Sequence, residues 1–271
     1  MTAWDKLKIV HNVKRPNAYD YISGIFEEYL EMQGDRLFGN DFAITAGIAV
    51  FEGLPITIIA TVKGKTLEQN KQYNFSMAHP EGYRKALRLA LQAEKFSRPI
   101  VCFIDTPGAF CGVDAEKRGQ GQAIAQNIMQ FMGLKTPIIA IITGEGGSGG
   151  ALGIGVCDEL GVLENAVYSV ISPQGAASIL WRDVSKAEQA ANIMKITAQD
   201  MLYFKIAEQI IEEPVGGAHN DVAKMCESIK VFLKDALRRN CGQNVAQLLE
   251  KRYNKFRKIG IFNENGEEKF K

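Results

Sequence analysis

The sequence predicts an α/β fold in which a largely parallel sheet is covered by helices. Short apolar runs, each about the length of one buried strand, alternate along the chain with segments of helical periodicity. Strands that alternate with helices are typical of βαβ units joined by right-handed crossovers. The expected strands are residues 99–104, 137–143 and 167–171, and the expected helices are residues 81–96, 115–132, 149–160 and 173–181.

The region before this alternation predicts a helix followed by a hairpin. Apolar residues of segment 19–32 lie near one helical face. Residues 42–51 and 54–62 have the composition of two strands, and Glu52-Gly53 between them is a hairpin signal. We expect loops at the polar, basic segment 63–79 and at residues 105–114, and a tight turn at residues 144–148.

The last third of the chain predicts a helical region without a new domain. Residues 186–257 are expected to be mostly helical, with one break at residues 213–217. The charged tail, residues 263–271, is expected to fray. The chain contains no internal repeat and no linker-like stretch. We therefore expect one domain over residues 1–271, with a core at about 15–257 and peripheral segments at 1–14 and 263–271.

Composition indicates a cytoplasmic protein and excludes several function classes. The 32 basic and 31 acidic residues give a net charge of +1, which does not favour nucleic acid or a membrane surface as a partner. No apolar stretch approaches the ~20 residues of a membrane span. The five cysteines have no C-x-x-C spacing, which fits a reducing compartment and predicts no metal site in this chain.

Two loops that follow predicted strands are the candidate functional site. One contains Gly108, and the other, residues 144–150, is glycine at every position except Glu145 and Ser148. Ligands of α/β folds sit beyond the carboxyl ends of strands. A glycine-rich turn at a helix start offers backbone N–H groups to an anion. The sequence therefore predicts a site that works through backbone donors, against the plain alternative that both loops are tight turns.

Other motifs match the same region. The G-x-G-x-x-G dinucleotide pattern from Gly144 lacks the acidic residue expected about 20 positions further on. The G-x-S-x-G pattern around Ser148, with His219 downstream and Asp183 and Asp200 between them, fits the order of a serine hydrolase. The DTPG string at 105–108 suggests a GTPase switch, but the chain has no P-loop. The hydrolase stays open as an alternative.

Several long strings, taken in order, resemble one family. They are MAHPEGYRKALRLALQAEKF (77–96), FIDTPGAF (103–110), AEKRGQ (115–120), GEGGSGGALGIGV (144–156), YSVISPQGAASILWRD (168–183) and EPVGGAH (213–219). Together they resemble the alpha subunit of bacterial acetyl-CoA carboxylase carboxyltransferase, from about residue 15 to 253. The resemblance implies a crotonase-like fold of stacked ββα units with a helical C-terminal region.

The resemblance also implies a reaction and partners. Carboxybiotin on a separate biotin carboxyl carrier protein, loaded by biotin carboxylase, gives its carboxyl group to acetyl-CoA and forms malonyl-CoA, in the first committed step of fatty acid biosynthesis. The partner is a beta subunit with a four-cysteine zinc ribbon, in an α2β2 assembly. The alternatives are another biotin-dependent acyl-CoA carboxyltransferase or decarboxylase subunit, and a scaffold of the same fold that only binds acyl-CoA or a partner.

The resemblance assigns the candidate site residues. Gly149 and Gly150 donate N–H groups to the biotin oxyanion, and Gly108 and Ala109 line the facing side. The remaining predicted substrate contacts are Phe110, Gly146, Gly147 and Ser148. The chain departs from the family pattern at Phe110-Cys111, where Tyr-Pro is common, and at Gln174 and Ala176, where Glu and Cys are common. A tyrosine hydroxyl at position 110 is therefore not essential here.

Overall fold

The computed structural model describes residues 1–264 and 267–270. The sheet-forming segments alternate with helices as the sequence predicts. The helices are α1 (Ala3–Val10), α2 (Ala18–Ile25), α3 (Leu67–Gln72), α4 (Pro80–Lys95), α5 (Val113–Lys117), α6 (Gln120–Gly133), α7 (Ser148–Gly155), α8 (Pro173–Trp181), α9 (Ala187–Ile193), α10 (Ala198–Tyr203), α11 (Val222–Asn240) and α12 (Val245–Arg257), with 3-10 turns at Asn74–Ser76, Val184–Lys186 and Ala218–Asn220. The strands are β1 (Glu27–Glu31), β2 (Ile44–Phe51), β3 (Leu54–Thr61), β4 (Ile100–Thr106), β5 (Ile138–Gly147), β6 (Glu159–Leu163), β7 (Val167–Ser169), β8 (Gln209–Ile211), β9 (Ile261–Glu264) and β10 (Glu267–Phe270).

One mixed sheet organises the molecule. Its order is β1-β2-β3-β4-β5-β6-β8, and β7 pairs with the far end of β5. The pairs β1/β2 and β2/β3 are antiparallel, whereas all pairs from β3 to β8 are parallel. The predicted hairpin is confirmed: Phe51 is opposite Leu54, and Glu52 and Gly53 both have positive φ, as a type I′ turn requires.

Helices cover both faces of the central strand β4, whose seven residues are all buried. Phe103 stacks on Tyr21 of α2 with ring centroids 6.0 Å apart. The next residue, Ile104, lies against Gly155 of α7. Because successive strand residues point to opposite faces, α2 and α7 lie on opposite sides of the sheet. The apolar run that predicted a buried strand therefore supplies the core of the fold.

The helix expected over residues 19–32 is wrong beyond Ile25. Helix α2 ends there, Phe26 is extended, and β1 pairs with β2, with Glu27 opposite Val50. The apolar spacing fits a helix, but pairing with the hairpin gives the backbone of β1 its hydrogen bonds. The loop expected over residues 63–79 contains α3, whose first turn is capped by the Thr66 hydroxyl.

Glycine and strand pairing also correct the bounds of three other expected segments. The helix expected over 115–132 divides into α5 and α6 at Gly119, which has φ 82°. Because α5 begins at Val113, the expected loop 105–114 is shorter. The helix expected over 149–160 ends at Gly155, since residues from Glu159 onward pair with β5. The mostly helical region 186–257 also contains the short strand β8.

Both ends of the described chain contain regular secondary structure. Helix α1 buries Leu7 and Val10. In the tail, for which the sequence predicts fraying, β9 pairs antiparallel with β10. Residues 265, 266 and 271 lie outside the described residues. The division into a single domain stays a prediction. Within the described part of the chain, no helix is both long and apolar enough to cross a membrane.

Candidate functional site

The glycine-rich segment is a strand that passes directly into a helix. The turn expected at residues 144–148 is wrong, because β5 continues to Gly147 and α7 begins at Ser148. Glu145, Gly146 and Gly147 pair with β7, which sits beside this end of the strand. Ser148 is the junction residue and has φ 49°, a left-handed conformation that costs a non-glycine residue about 1–2 kcal/mol.

The start of α7 presents unpaired backbone donors. Gly147 precedes the helix and offers no side-chain cap. The first N–H groups of a helix have no partner within it, which here applies to Ser148, Gly149 and Gly150. The helix dipole adds about half a positive charge at the same end. Ser148 is exposed, Gly149 is half-buried and Gly150 is buried, so these donors run inward from the surface.

The second predicted loop lies directly against this helix start. A Cβ atom placed on Gly150 would stand 2.4 Å from the carbonyl carbon of Gly108 and 2.5 Å from the nitrogen of Ala109. A Cβ atom on Gly147 would stand 2.2 Å from the carbonyl of Pro107. Only glycine permits this approach of two backbones. The structure thus brings together Gly108, Ala109, Gly147 and Gly150, which the sequence predicts as one site.

Hydrogen bonds fix the course of the second loop. The Thr106 hydroxyl lies 2.6 Å from the Ser76 carbonyl oxygen and accepts the N–H of Gly108 at 3.1 Å. The Phe110 N–H donates to the Ala78 carbonyl at 3.0 Å. The aromatic ring of Phe110 stacks on the His79 imidazole, with centroids 4.1 Å apart. The neighbouring Cys111 is exposed.

Ionisable side chains surround the end of β5, from the buried Asp105 to His11, whose side chain is 50% exposed. Lys63 Nζ lies 3.1 Å from Glu145 Oε2 and 3.4 Å from Asp105, and His11 Nε2 lies 3.0 Å from Glu145 Oε1. The Glu145 N–H donates to Asp105 at 2.9 Å. Burial alone would raise the pKa of Glu145, but the hydrogen bond from His11 and the charge of Lys63 lower it to about 2.

The sequence did not identify His11 or Arg15 as part of this network. From the sequence, Lys63, Lys65 and Lys71 belong to the expected basic loop, as candidates for the approach of a carrier protein or of CoA. Lys65 pairs with Asp20 at 2.6 Å and is partly exposed. The partners of Glu145 are 134 and 82 positions earlier in the chain, so no local pattern predicts these contacts.

An apolar groove opens beside the helix start. Its volume is about 350 Å³, and it adjoins Ser148 and Gly149. Polar donors at one edge of an apolar cavity are typical of a site for a small organic ligand. The apolar part of the lining is formed by Leu152, Tyr168, Val170, Met201, Ile206, Phe256 and Ile259.

The residues of the hydrolase alternative are not joined by any hydrogen bond among the described residues. His219 pairs with the Asn12 side chain at 3.0 Å. Asp183 accepts from Ser185, and Asp200 caps α10 together with Thr197. Ser148 resembles a nucleophile elbow in its strained strand-to-helix position, but within residues 1–264 and 267–270 no His, Asp or Glu side chain forms a hydrogen bond with its hydroxyl. The described residues also contain no group of three or more His, Cys, Asp or Glu side chains arranged for a metal ion.

Solved structures with a similar fold include a transcarboxylase and a malonate decarboxylase. Transcarboxylase 12S superposes with a TM-score of 0.71 at 16% identity, over 89% of this chain and 45% of that chain. A Pseudomonas malonate decarboxylase hetero-tetramer in complex with coenzyme A gives a TM-score of 0.63 at 20% identity, over 81% of this chain and 89% of that one. The expected crotonase-like α/β fold is confirmed.

Other proteins are much more similar to this chain in sequence than these solved structures are. The acetyl-coenzyme A carboxylase carboxyl transferase subunit alpha of Clostridium perfringens strain 13 is 56% identical over 257 residues, which is 95% of both chains. That of Clostridium acetobutylicum is 51% identical over 98% of this chain and 97% of its own. A beta/alpha chain of Clostridium tetani is 54% identical over 97% of this chain and 46% of its own. A family model described as acetyl co-enzyme A carboxylase carboxyltransferase-like matches residues 1–260, and the chain belongs to that family.

Proposed function

We propose that this chain is the alpha subunit of an acetyl-CoA carboxylase carboxyltransferase. With a beta subunit it transfers a carboxyl group from carboxybiotin, carried on a biotin carboxyl carrier protein, to acetyl-CoA. The product is malonyl-CoA, which makes this the first committed step of fatty acid biosynthesis. The relatives at 51–56% identity, which match over nearly the whole chain, support this activity.

The observation that carries the proposal is the helix start of α7 lying against the Gly108–Ala109 peptide. Carboxyl transfer places negative charge on the ureido oxygen of biotin and on the thioester oxygen of the acetyl group. Both are oxyanions, and each suitably aimed backbone donor is worth about 3–4 kcal/mol in such a transition state. The acetyl methyl group must lose a proton, and the biotin nitrogen that gives up the carboxyl group can accept it. A site built from glycine N–H groups therefore suits this chemistry without an acid or base on the same chain.

We propose a role for each of these site residues. Gly149 and Gly150 donate to the biotin oxyanion, while Gly108 and Ala109 line the facing side. The apolar groove beside Ser148 suits the ring system of biotin, which is apolar except for its ureido group. Carboxybiotin supplies the carboxyl group when it is bound. Gly146, Gly147, Ser148 and Phe110 complete the lining, with Phe110 oriented by its contact with His79.

The proposal includes partners and a location. A relative that joins beta and alpha parts in one chain supports a beta subunit as the partner. We propose that this beta subunit carries a zinc ribbon, that the assembly is α2β2, and that the carrier protein is loaded by biotin carboxylase. The five cysteines are all free, which fits the proposed cytoplasmic location. No direct role with membranes or nucleic acid is proposed.

Reconstitution tests this function. The purified chain is mixed with a beta subunit, and malonyl-CoA-dependent carboxylation of free biotin is measured against each chain alone. The beta subunit is first shown to be active with the alpha subunit of its own organism. We expect activity in the mixture and none in either chain alone. An inert mixture overturns the proposal, and faster reaction with methylmalonyl-CoA or with malonate would indicate a related carboxyltransferase or decarboxylase instead.

A further inference from the structure

The end of strand β5 is attached to the segment that precedes α2. Arg15 donates from Nε and Nη2 to the Thr143 carbonyl oxygen at 2.9 and 2.7 Å. Two residues later along the strand, Glu145 meets His11 at 3.0 Å. Gly149, the first of the two proposed donors, is only four residues beyond Glu145. The position of the donors therefore depends on residues close to the N-terminal end of the described chain.

Packing holds this N-terminal segment in place. Helix α1 buries Leu7 in a small apolar cluster with Val167 of β7, so it is fixed to the strand that pairs with residues 145–147. His11 is the C-terminal cap residue of α1. Arg15 is 5% exposed and forms two hydrogen bonds with Glu213, at 2.7 and 3.0 Å. His11, whose side chain is 50% exposed, thus meets Glu145 from a backbone held between a packed helix and the buried Arg15.

The two oxygens of Glu145 have different partners. Oε1 lies 3.0 Å from His11 Nε2, and Oε2 accepts from Lys63 at 3.1 Å. Lys63 is shared, because it also pairs with Asp105. One lysine therefore serves two carboxylates, and without His11 the Glu145 carboxylate can rotate toward Lys63 and solvent. The Nε2–H of His11 can donate both in the protonated ring and in the neutral tautomer that carries its proton at Nε2.

We propose that His11 is a positioning residue for the carboxyl transfer. It fixes the Glu145 side chain and, through it, the direction in which the N–H groups of Gly149 and Gly150 point. This inference rests on the proposed function of those two residues. Oxyanion donors act only when they are aimed in advance at the developing charge. Loss of the His11 contact should therefore slow the chemical step while substrate binding stays nearly unchanged.

Three variants in the reconstituted complex with a beta subunit test the inference. His11→Ala should lower kcat about tenfold with KM for malonyl-CoA changed less than about twofold. His11→Gln keeps an N–H donor and should recover to within about threefold of wild type. Lys14→Ala is the matched control, because Lys14 is exposed in the same segment and its side chain contacts no charged partner among the described residues. It should behave as wild type.

Amide hydrogen exchange provides a second measurement that does not depend on catalytic activity. Amides of residues 144–150 should exchange faster in His11→Ala than in Lys14→Ala, since the strand end has lost one fixed side chain. Unchanged kcat in His11→Ala, equal slowing in His11→Gln, or unchanged exchange each overturns the inference. If the wild-type complex is inert while exchange responds as expected, the proposed function fails and the structural link between His11 and the glycine segment stands.

Discussion

Replacement of Gly150 by alanine should disable the site while leaving the fold intact. The added Cβ would stand 2.4 Å, 2.5 Å and 2.8 Å from the carbonyl carbon of Gly108, the nitrogen of Ala109 and the Cα of Gly108. Non-bonded carbon atoms pack at about 3.5–4.0 Å, so the Gly108–Ala109 peptide must move by about 1 Å. All three atoms belong to the backbone, so no side-chain rotation can relieve the contact.

A shift of this size has a calculable effect on rate. Misplacement of a reacting group by about 1 Å can cost about 100-fold, which corresponds to about 2.7 kcal/mol in the activation free energy. We expect kcat for malonyl-CoA-dependent carboxylation of biotin to fall by about that factor in the complex of Gly150→Ala with a beta subunit. The far-ultraviolet circular dichroism spectrum should stay that of the wild type.

Gly121→Ala is the control for this prediction. Gly121 lies in α6, and its added Cβ would meet no heavy atom within 4 Å. This variant should keep wild-type activity and gain about 0.5–1 kcal/mol of stability, because alanine is the better helix former. If Gly150→Ala keeps more than a third of wild-type kcat, the two loops do not form the site together.

Three further predictions concern single side chains. Ser148→Ala should keep kcat within about threefold, measured in the reconstituted assay, whereas a nucleophilic serine would lose about 10⁶-fold. For Glu145, whose pKa is about 2 rather than 4.5, the ionised form contributes to wild-type stability above pH 4.5, and that contribution is lost as the pH falls from 4.5 to 2. Between pH 4.5 and pH 2, the free energy of unfolding in urea should fall by up to about 3 kcal/mol less in Glu145→Gln than in the wild type. An equal fall in both proteins would contradict the assigned network. The side chains of Arg252 and Asp158 are fully buried and lie 2.8 Å apart. Arg252→Ala should lower the free energy of unfolding in urea by about 3–5 kcal/mol, because the Asp158 carboxylate loses its cationic partner. A loss below 1 kcal/mol would show that the pair is dispensable.

The central α/β elements could be predicted because their signals are local. The apolar runs of β4 and β5 and the amphipathic pattern of α4 each lie within one segment of sequence. The glycine loops could be identified for the same reason, since a close backbone approach requires glycine at particular positions such as Gly147 and Gly150. Residue type and order were sufficient for these features.

The remaining features depend on partners that are distant in sequence. Strand β1 is extended because β2 is available to pair with it, although its apolar spacing fits a helix. The glycine segment continues β5 to Gly147 because β7 lies beside it. His11 and Arg15 act on residues about 130 positions away, and nothing in their local sequence distinguishes them from surface residues.

The N–H groups at the start of α7 also have an entropic consequence. A side-chain donor must give up rotamer freedom when it engages a ligand, at about 0.5–1.5 kcal/mol for a flexible side chain. Backbone donors between a paired strand and a helix have no rotamers to lose, so their ordering was completed when the chain folded. The favourable enthalpy of ligand binding to these N–H groups should therefore be offset little by a loss of conformational entropy in this chain. In calorimetry, the entropic cost of binding at this site should come mainly from ordering of the ligand and of the partner subunit.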